Sequence, residues 1–253
     1  LSCKEQGLLP YLSDTLGDYV RTNSEAIVGA ISRRSDANNS RGIAITSGFY
    51  PDPRTHVEIV RYGEGQDAMG RLGALMVDGH GGRLRRLLRF IGQVVAHPVD
   101  FLRTLRPGGW AKRTVILLVM QSLDNHLKVR LSRPWWWPFS QRLNSDVPAG
   151  QTQPPTFIPL ANLVARKVAE KTDGVAIGAI NEALLDAPTT AHILGGCGVG
   201  QSAADGVIDK NHEVFGYPGL YVCDGSAISA NLGVNPSLTI TALSELAMSK
   251  IPN

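Results

Sequence analysis

Three cysteines in 253 residues (Cys3, Cys197 and Cys223) are too few and too scattered for a disulfide scaffold, and their number is odd. A reducing compartment is the default for such a chain. Neither the cysteines nor His56, His80, His97, His126 and His212 show metal-ligand spacing, so no metal centre is expected. No apolar stretch is long enough to span a bilayer and no secretory leader is visible, which leaves a cytoplasmic or membrane-peripheral location as the expectation. There is no Gly-x-Ser-x-Gly elbow, no Walker loop, no internal repeat and no low-complexity tract. Neither charge sign dominates: 25 Lys+Arg stand against 22 Asp+Glu, a formal net charge of +3. Nucleic acid is therefore not an expected partner.

One further absence is more informative. No Gly-x-Gly-x-x-Gly follows an N-terminal strand. The nearest match, Gly196-Cys197-Gly198-Val199-Gly200, lacks both the preceding strand and the acidic residue about 20 positions on that a dinucleotide fingerprint needs. The chain also begins at Leu1 rather than Met. The expectation is the C-terminal part of a longer protein.

What is present reads as a mixed chain, α/β (α+β mixed), with 43% hydrophobic residues and hence a sizeable core. Leu8 to Val20 has helical periodicity interrupted by Pro10. Ala26–Ala30 and Gly42–Ser47 read as strands, and a loop containing Pro51 and Pro53 follows. His56–Tyr62 alternates apolar and polar residues, as a strand does, and places Glu58 and Val57 on opposite faces. Residues 67–108 alternate arginines with large apolar residues at helical spacing, which suits either a membrane-surface helix or a helix packed on the protein body with arginines in water. Val115–Met120 and His126–Leu131 read as a hairpin around Ser122–Asn125. Arg133–Phe139 (RPWWWPF) is an aromatic cluster suited to a cavity wall, a lipid interface or loop packing. Residues 145–155 form a polar connection, Ile158–Thr172 a helix, and Gly174–Ile180 a strand or turn.

The last quarter carries the chemistry. His192 precedes a cluster of Gly195, Gly196, Gly198 and Gly200. Leu220–Val222 reads as a short buried strand ending in the turn Cys223-Asp224-Gly225-Ser226. Asn235-Pro236 then opens an apolar-periodic helix to Ile251. Asn is a good N-cap and Pro suits the first helical position. The helix therefore presents its unpaired amides just after a glycine loop, where a developing anion is stabilised.

These three blocks, in this order over roughly sixty residues, resemble the C-terminal signature of the glucose–methanol–choline (GMC) flavin oxidoreductases. Within that family they look most like the cholesterol oxidase branch. The resemblance implies an antiparallel substrate-domain sheet plus elements completing an FAD-binding Rossmann-like domain. Residues 1–41 would lie at the junction, 42–188 would bind substrate with 67–110 as a basic helical insertion, and 189–253 would complete the FAD domain. It implies FAD as cofactor, with Asp224, Gly225, Asn235, Pro236 and Ser237 approaching the flavin. The nucleotide-binding fingerprint would lie in the missing N-terminal part.

The implied reaction is oxidation of an alcohol, a 3β-hydroxysteroid such as cholesterol, with double-bond isomerisation. His192 would take the hydroxyl proton, Asn235 would hydrogen-bond the hydroxyl or the flavin, and Glu58 would move a ring proton. Each has a bland reading beside it: a structural histidine, a plain N-cap, and a solvated strand glutamate. Ile193 replaces the proline that often follows the motif histidine, and Ser237 stands where many sterol oxidases carry an aromatic. The Glu58–His192 spacing of 134 residues (192 − 58) is long. These departures bear on the substrate more than on the chemistry. The alternatives are another alcohol substrate, or a flavin-free membrane-associated binding module.

Overall fold

The run Ala26–Ser32 is apolar at nearly every position because the strand it forms is central to a sheet whose two faces are both covered. The computed structural model describes residues 1–106, 108–135 and 139–251. Its regular elements, in chain order, are helix α1 (Ser2–Glu5), strands β1 (Ala26–Ser32), β2 (Ile45–Asp52), β3 (Thr55–Val60) and β4 (Gly73–Leu75), and helices α2 (Gly82–Ala96), α3 (Pro98–Thr104) and α4 (Trp110–Arg113). There follow strands β5 (Thr114–Gln121), β6 (Lys128–Ser132) and β7 (Arg142–Asp146), helix α5 (Pro159–Lys171), strand β8 (Gly174–Ala179), and helices α6 (Ile180–Leu185) and α7 (Ser237–Met248). Two 3-10 segments, Asp67–Leu72 and Gly225–Ala227, complete the set.

The chain divides into two compact units. The sheet unit comprises residues 25–121 and 155–190. Its six strands run β2-β3-β5-β1-β8-β4, every neighbouring pair antiparallel. On one face α5 lays down Ala161, Ala165 and Ala169, four residues apart, and these small side chains let the helix approach Val28, Val57, Leu117 and Val119 closely. On the other face Ile31, Ile116 and Ile177 pack under Trp110 and Ala111. The register sets Glu58 opposite Leu118, and Leu118 opposite Ile27, so these three share that second face.

The second unit comprises residues 1–24, 122–154 and 191–253. It holds the two-stranded sheet β6-β7, helices α1 and α7, and a core of Val207, Ile208, Val214 and Ala227. Most of its chain is irregular and is held by bonds between distant residues rather than by ladders. Among these are Gly17 N to Gly196 O at 2.7 Å and Val20 N to Leu127 O at 2.9 Å.

Several elements differ from their sequence reading. The helical periodicity of Leu8–Val20 yields no regular helix: α1 ends before it at Glu5, and the positive φ of Gly7, Gly17 and Tyr19 breaks any continuous right-handed helix there. β5 and the 126–131 segment do not form a hairpin: β5 pairs with β1 and β3, whereas β6 pairs with β7 in the other unit. β2 continues through Pro51 with a register shift in its pairing to β3, and an edge strand tolerates the proline because it needs no amide on its outer side. Residues 73–75 are an edge strand of the sheet, so the basic helical stretch begins at Gly82. Leu220–Val222 is half-exposed and makes a single bridge, Tyr221 to Glu213, in place of a buried strand. Of the aromatic cluster, Trp136, Trp137 and Pro138 lie outside the described residues, while Trp135 and Phe139 are exposed. The unit boundaries also fall elsewhere than 41/42 and 188/189: residues 26–32 belong to the large sheet, and 122–154 join the C-terminal unit.

Candidate active site

In the C-terminal unit three stretches meet at Gly225. A Cβ there would sit 3.3 Å from the Ile193 carbonyl oxygen, 3.2 Å from Leu194 Cδ2 and 3.4 Å from Ile240 Cδ1. Ile193 and Leu194 follow His192 directly, and Ile240 is in the first turn of α7. The Gly195 amide donates to the Gly225 carbonyl at 3.0 Å, and the Cys197 amide donates to that of Ser226 at 2.9 Å. From the helix side, the Ser244 hydroxyl donates to the Cys223 carbonyl at 2.8 Å. The histidine loop, the Asp224–Ser226 turn and the start of α7 are thus one stitched assembly. Gly195 has φ +72° and its missing Cβ would lie 2.0 Å from the Tyr19 carbonyl oxygen, so no other residue fits there.

His192 is half-buried in this loop. Asp224 is exposed and folds its carboxylate onto the Ser226 amide at 2.8 Å and the Ser226 hydroxyl, capping its own 3-10 turn. Burial pushes the Cys197 thiol above its ordinary range.

Asn235 precedes α7. The helix itself begins at Ser237, with Pro236 buried and already in helical conformation at φ −82°, ψ −6°. The approach to Asn235 is clamped by residues from the first 24. Asn23 is fully buried with φ +56°. Its side chain donates to the Val234 carbonyl at 2.9 Å and accepts from the Gly233 amide at 2.8 Å, while its own amide donates to Asn231 Oδ1 at 2.8 Å. Asn231 in turn donates to the Leu123 carbonyl at 2.6 Å and to Asn125 Oδ1 at 2.8 Å. Arg21, also buried, donates to the carbonyls of Ser229 at 3.2 Å and Asn125 at 2.9 Å. Its guanidinium holds the Asp124 carboxyl below the usual carboxylate range.

This arrangement can do two things. A half-exposed imidazole can exchange a proton with a ligand hydroxyl. The first amides of α7 have no acceptor within the helix, and Ser237 and Leu238 at that end are exposed, Leu238 at 81%. Such an end accommodates negative charge.

Glu58 lies in the other unit, on β3. It is buried, 8% exposed, so the solvated reading fails. His56, two residues earlier on the same strand face, places its Nδ1 3.6 Å from Glu58 Oε1 and stacks its ring on Tyr50 at 4.4 Å. On that same sheet face lies an apolar pocket of about 130 Å³ walled by Ile27, Tyr62, Met69, Trp110, Ile116 and Ile177. It is smaller than the roughly 300 Å³ lower bound of drug-sized ligand sites, with room for no more than part of such a molecule. Asn181 and Thr189 at its rim satisfy one another, with Asn181 Nδ2 donating to Thr189 Oγ1 at 2.8 Å.

Sequence reasoning overlooked His56, Arg21, Asn23 and Asn231. The two-residue period that placed Glu58 also places His56, so that signal was present. The other three act across more than 100 residues of chain and leave no local trace.

Comparison with known proteins bears on this assembly directly. Residues 148–244, which include His192, Asp224, Gly225 and Asn235 but not Glu58, match the family model for GMC oxidoreductase, C-terminal part. A cholesterol oxidase of Acinetobacter baumannii is 45% identical over 98% of this chain and 44% of its own length. A cholesterol oxidase of Mycobacterium tuberculosis is 47% identical over 99% of this chain and 43% of its own. A long-chain-alcohol oxidase of Arabidopsis thaliana is 42% identical over 24% of this chain and 8% of its own. The chain spans less than half the length of the curated relatives it matches. Residues 148–244 of this mixed α and β chain with its antiparallel sheet therefore match the C-terminal domain of the GMC oxidoreductase family, and nearly the whole chain is similar to a little under half of each of two cholesterol oxidases.

Proposed function

We propose that the protein containing this chain oxidises the CH–OH group of an apolar alcohol, a 3β-hydroxysteroid such as cholesterol, to a ketone with FAD. The observation that carries the reading is the convergence of the His192 loop, the Asp224–Ser226 turn and the N-terminus of α7 at Gly225. The similarity to two cholesterol oxidases along nearly the whole chain supports the sterol substrate. So does the apolar pocket on the sheet face that carries Glu58.

His192 accepts the hydroxyl proton. Asn235, held by the Asn23 and Asn231 clamp, orients the hydroxyl or the cofactor by hydrogen bonding. Asp224, Gly225, Pro236 and Ser237 would hold the flavin, and the α7 amides would stabilise negative charge placed against them. Bound FAD supplies the hydride acceptor that no side chain provides.

Anaerobic titration of the purified protein checks the substrate class. Cholesterol is expected to bleach the visible flavin absorbance, whereas choline and glucose leave it unchanged. A colourless protein that takes up no FAD sinks the flavin reading. A flavin bleached by choline or glucose but not by cholesterol sinks the sterol reading.

Glu58 moves a ring proton when the steroid double bond shifts into conjugation. Glu58→Gln is expected to oxidise cholesterol at a rate within about threefold of the unaltered protein, while isomerisation falls by about 10²–10⁴-fold, the span of general acid–base contributions. The unconjugated ketone then accumulates. Chromatography of the products decides the matter: a conjugated ketone formed at the normal rate removes Glu58 from the mechanism.

A further inference from the structure

α2 is set on the sheet unit back to front. Its inward face carries Arg86, only 2% exposed, along with Phe90 and Val94. The Arg86 guanidinium donates to three backbone carbonyls, those of Gly79 at 2.8 Å, Glu182 at 2.9 Å and Thr156 at 3.4 Å. These bonds fix the rotation of the helix about its own axis. Its apolar side chains are therefore held outward. Leu84 is 70% exposed, Leu88 59%, Ile91 48% and Val95 75%, spaced as one stripe along the helix. α3 continues the pattern with Val99 and Leu102, each 60% exposed.

The charges around these helices are almost all of one sign. Residues 79–113 contain eight arginines and lysines and one carboxylate, Asp100. Asp100 is already engaged by Arg33 and Arg103. Beside α3 an open cleft of about 450 Å³ is lined by Arg33, Arg103, Arg106, Lys112 and Arg113, with no acidic residue in its wall. Glu64 pairs with Lys112, while Arg113 spends its donors on the carbonyls of Gly108 and Gly109.

We propose that α2 and α3 form a docking surface for a bilayer containing anionic lipid. The stripe enters the acyl–headgroup boundary, and the flanking arginines and the cationic cleft take lipid phosphates. The exposed stripe of the two helices is aliphatic, without the Tyr and Trp anchors that mark protein–protein hot spots. Arginine stems reach along such a stripe while their heads stay in the headgroup layer. Among the described residues no helix is long and apolar enough to cross a membrane, so the contact is peripheral. This inference goes beyond alcohol oxidation and does not depend on it.

Co-sedimentation of the purified protein with sterol-free vesicles tests it. The vesicles are pure phosphatidylcholine, or phosphatidylcholine with about one-third phosphatidylserine. Binding is expected only to the anionic vesicles, and weakens as salt rises. Leu88→Ser/Ile91→Ser and Arg83→Gln/Arg106→Gln are each expected to lower the partition coefficient at least tenfold, with the thermal melt unchanged. Leu88→Cys carrying an environment-sensitive dye is expected to shift to the blue on anionic vesicles. Equal binding to both vesicle types, no binding at all, or full binding by both double variants overturns the proposal. So does a lowered melt of Leu88→Ser/Ile91→Ser together with an already blue, vesicle-insensitive dye, since the stripe would then lie under another protein segment.

Discussion

Replacing His192 by alanine is expected to lower kcat for alcohol oxidation by about 10²–10⁴-fold, the contribution usual for a positioned general base. The side chain is half-buried in a loop whose backbone is bonded on both sides. Truncation therefore leaves the fold and the flavin content intact. The loss should appear in kcat, with KM for the alcohol changed little, because the proton is transferred in the reacting complex and not on binding. Asn235→Ala should cost less, since it removes a hydrogen bond but no proton acceptor. Stopped-flow reduction under excess alcohol measures the step directly. An unchanged rate for His192→Ala with normal flavin content would remove the histidine from the chemistry.

A second large effect belongs to Glu182 on α6. It is 6% exposed and its Oε1 has no hydrogen-bond partner. Burial pushes its carboxyl up to about 8 from an ordinary 4.5, against smaller opposing contributions from Thr189 and Arg86. Between those two pH values the folded protein keeps a proton that the unfolded chain has released. Stability therefore falls as pH rises through this window, by about 1.4 kcal/mol for each pH unit, and levels off above about 8. The accumulated loss at pH 9 is on the order of 4–5 kcal/mol. Glu182→Gln keeps the shape and stays neutral. It should match the unaltered protein near pH 4.5 and exceed it by several kcal/mol at pH 9. Paired denaturant melts across that range read the difference, and parallel curves for the two proteins would show that Glu182 does not carry this proton.

Short-range chemistry made part of this protein legible from residue order alone. Period-2 and continuous apolar runs marked β1, β3, β5 and β8, because a strand's pattern reports which of its faces are covered. Helical periodicity over Ile158–Thr172 marked α5. The ordered blocks around His192, Asp224 and Asn235 were readable for a similar reason. Each needs particular residues within a few positions, such as a glycine with positive φ at 195 or a proline leading a helix at 236.

The tertiary structure decided the rest. Which strand pairs with β5 was not legible, since Val115–Met120 suits any apolar neighbour and its true partners lie about 60 and 90 residues upstream. The Arg142–Asp146 strand was missed because every residue in it is exposed, and its single apolar residue, Leu143, makes no alternation. The orientation of α2 ran against its composition. The leucines face outward because three backbone carbonyls from distant loops capture Arg86, and no property of the helix alone foretells that. The same holds for the clamp on Asn235. Only the folded chain brings the side-chain amide of Asn23 against Gly233 and Val234, some 210 positions away. Local propensities act within a few residues of chain, whereas hydrogen bonds and burial act between whatever the fold brings within a few ångströms.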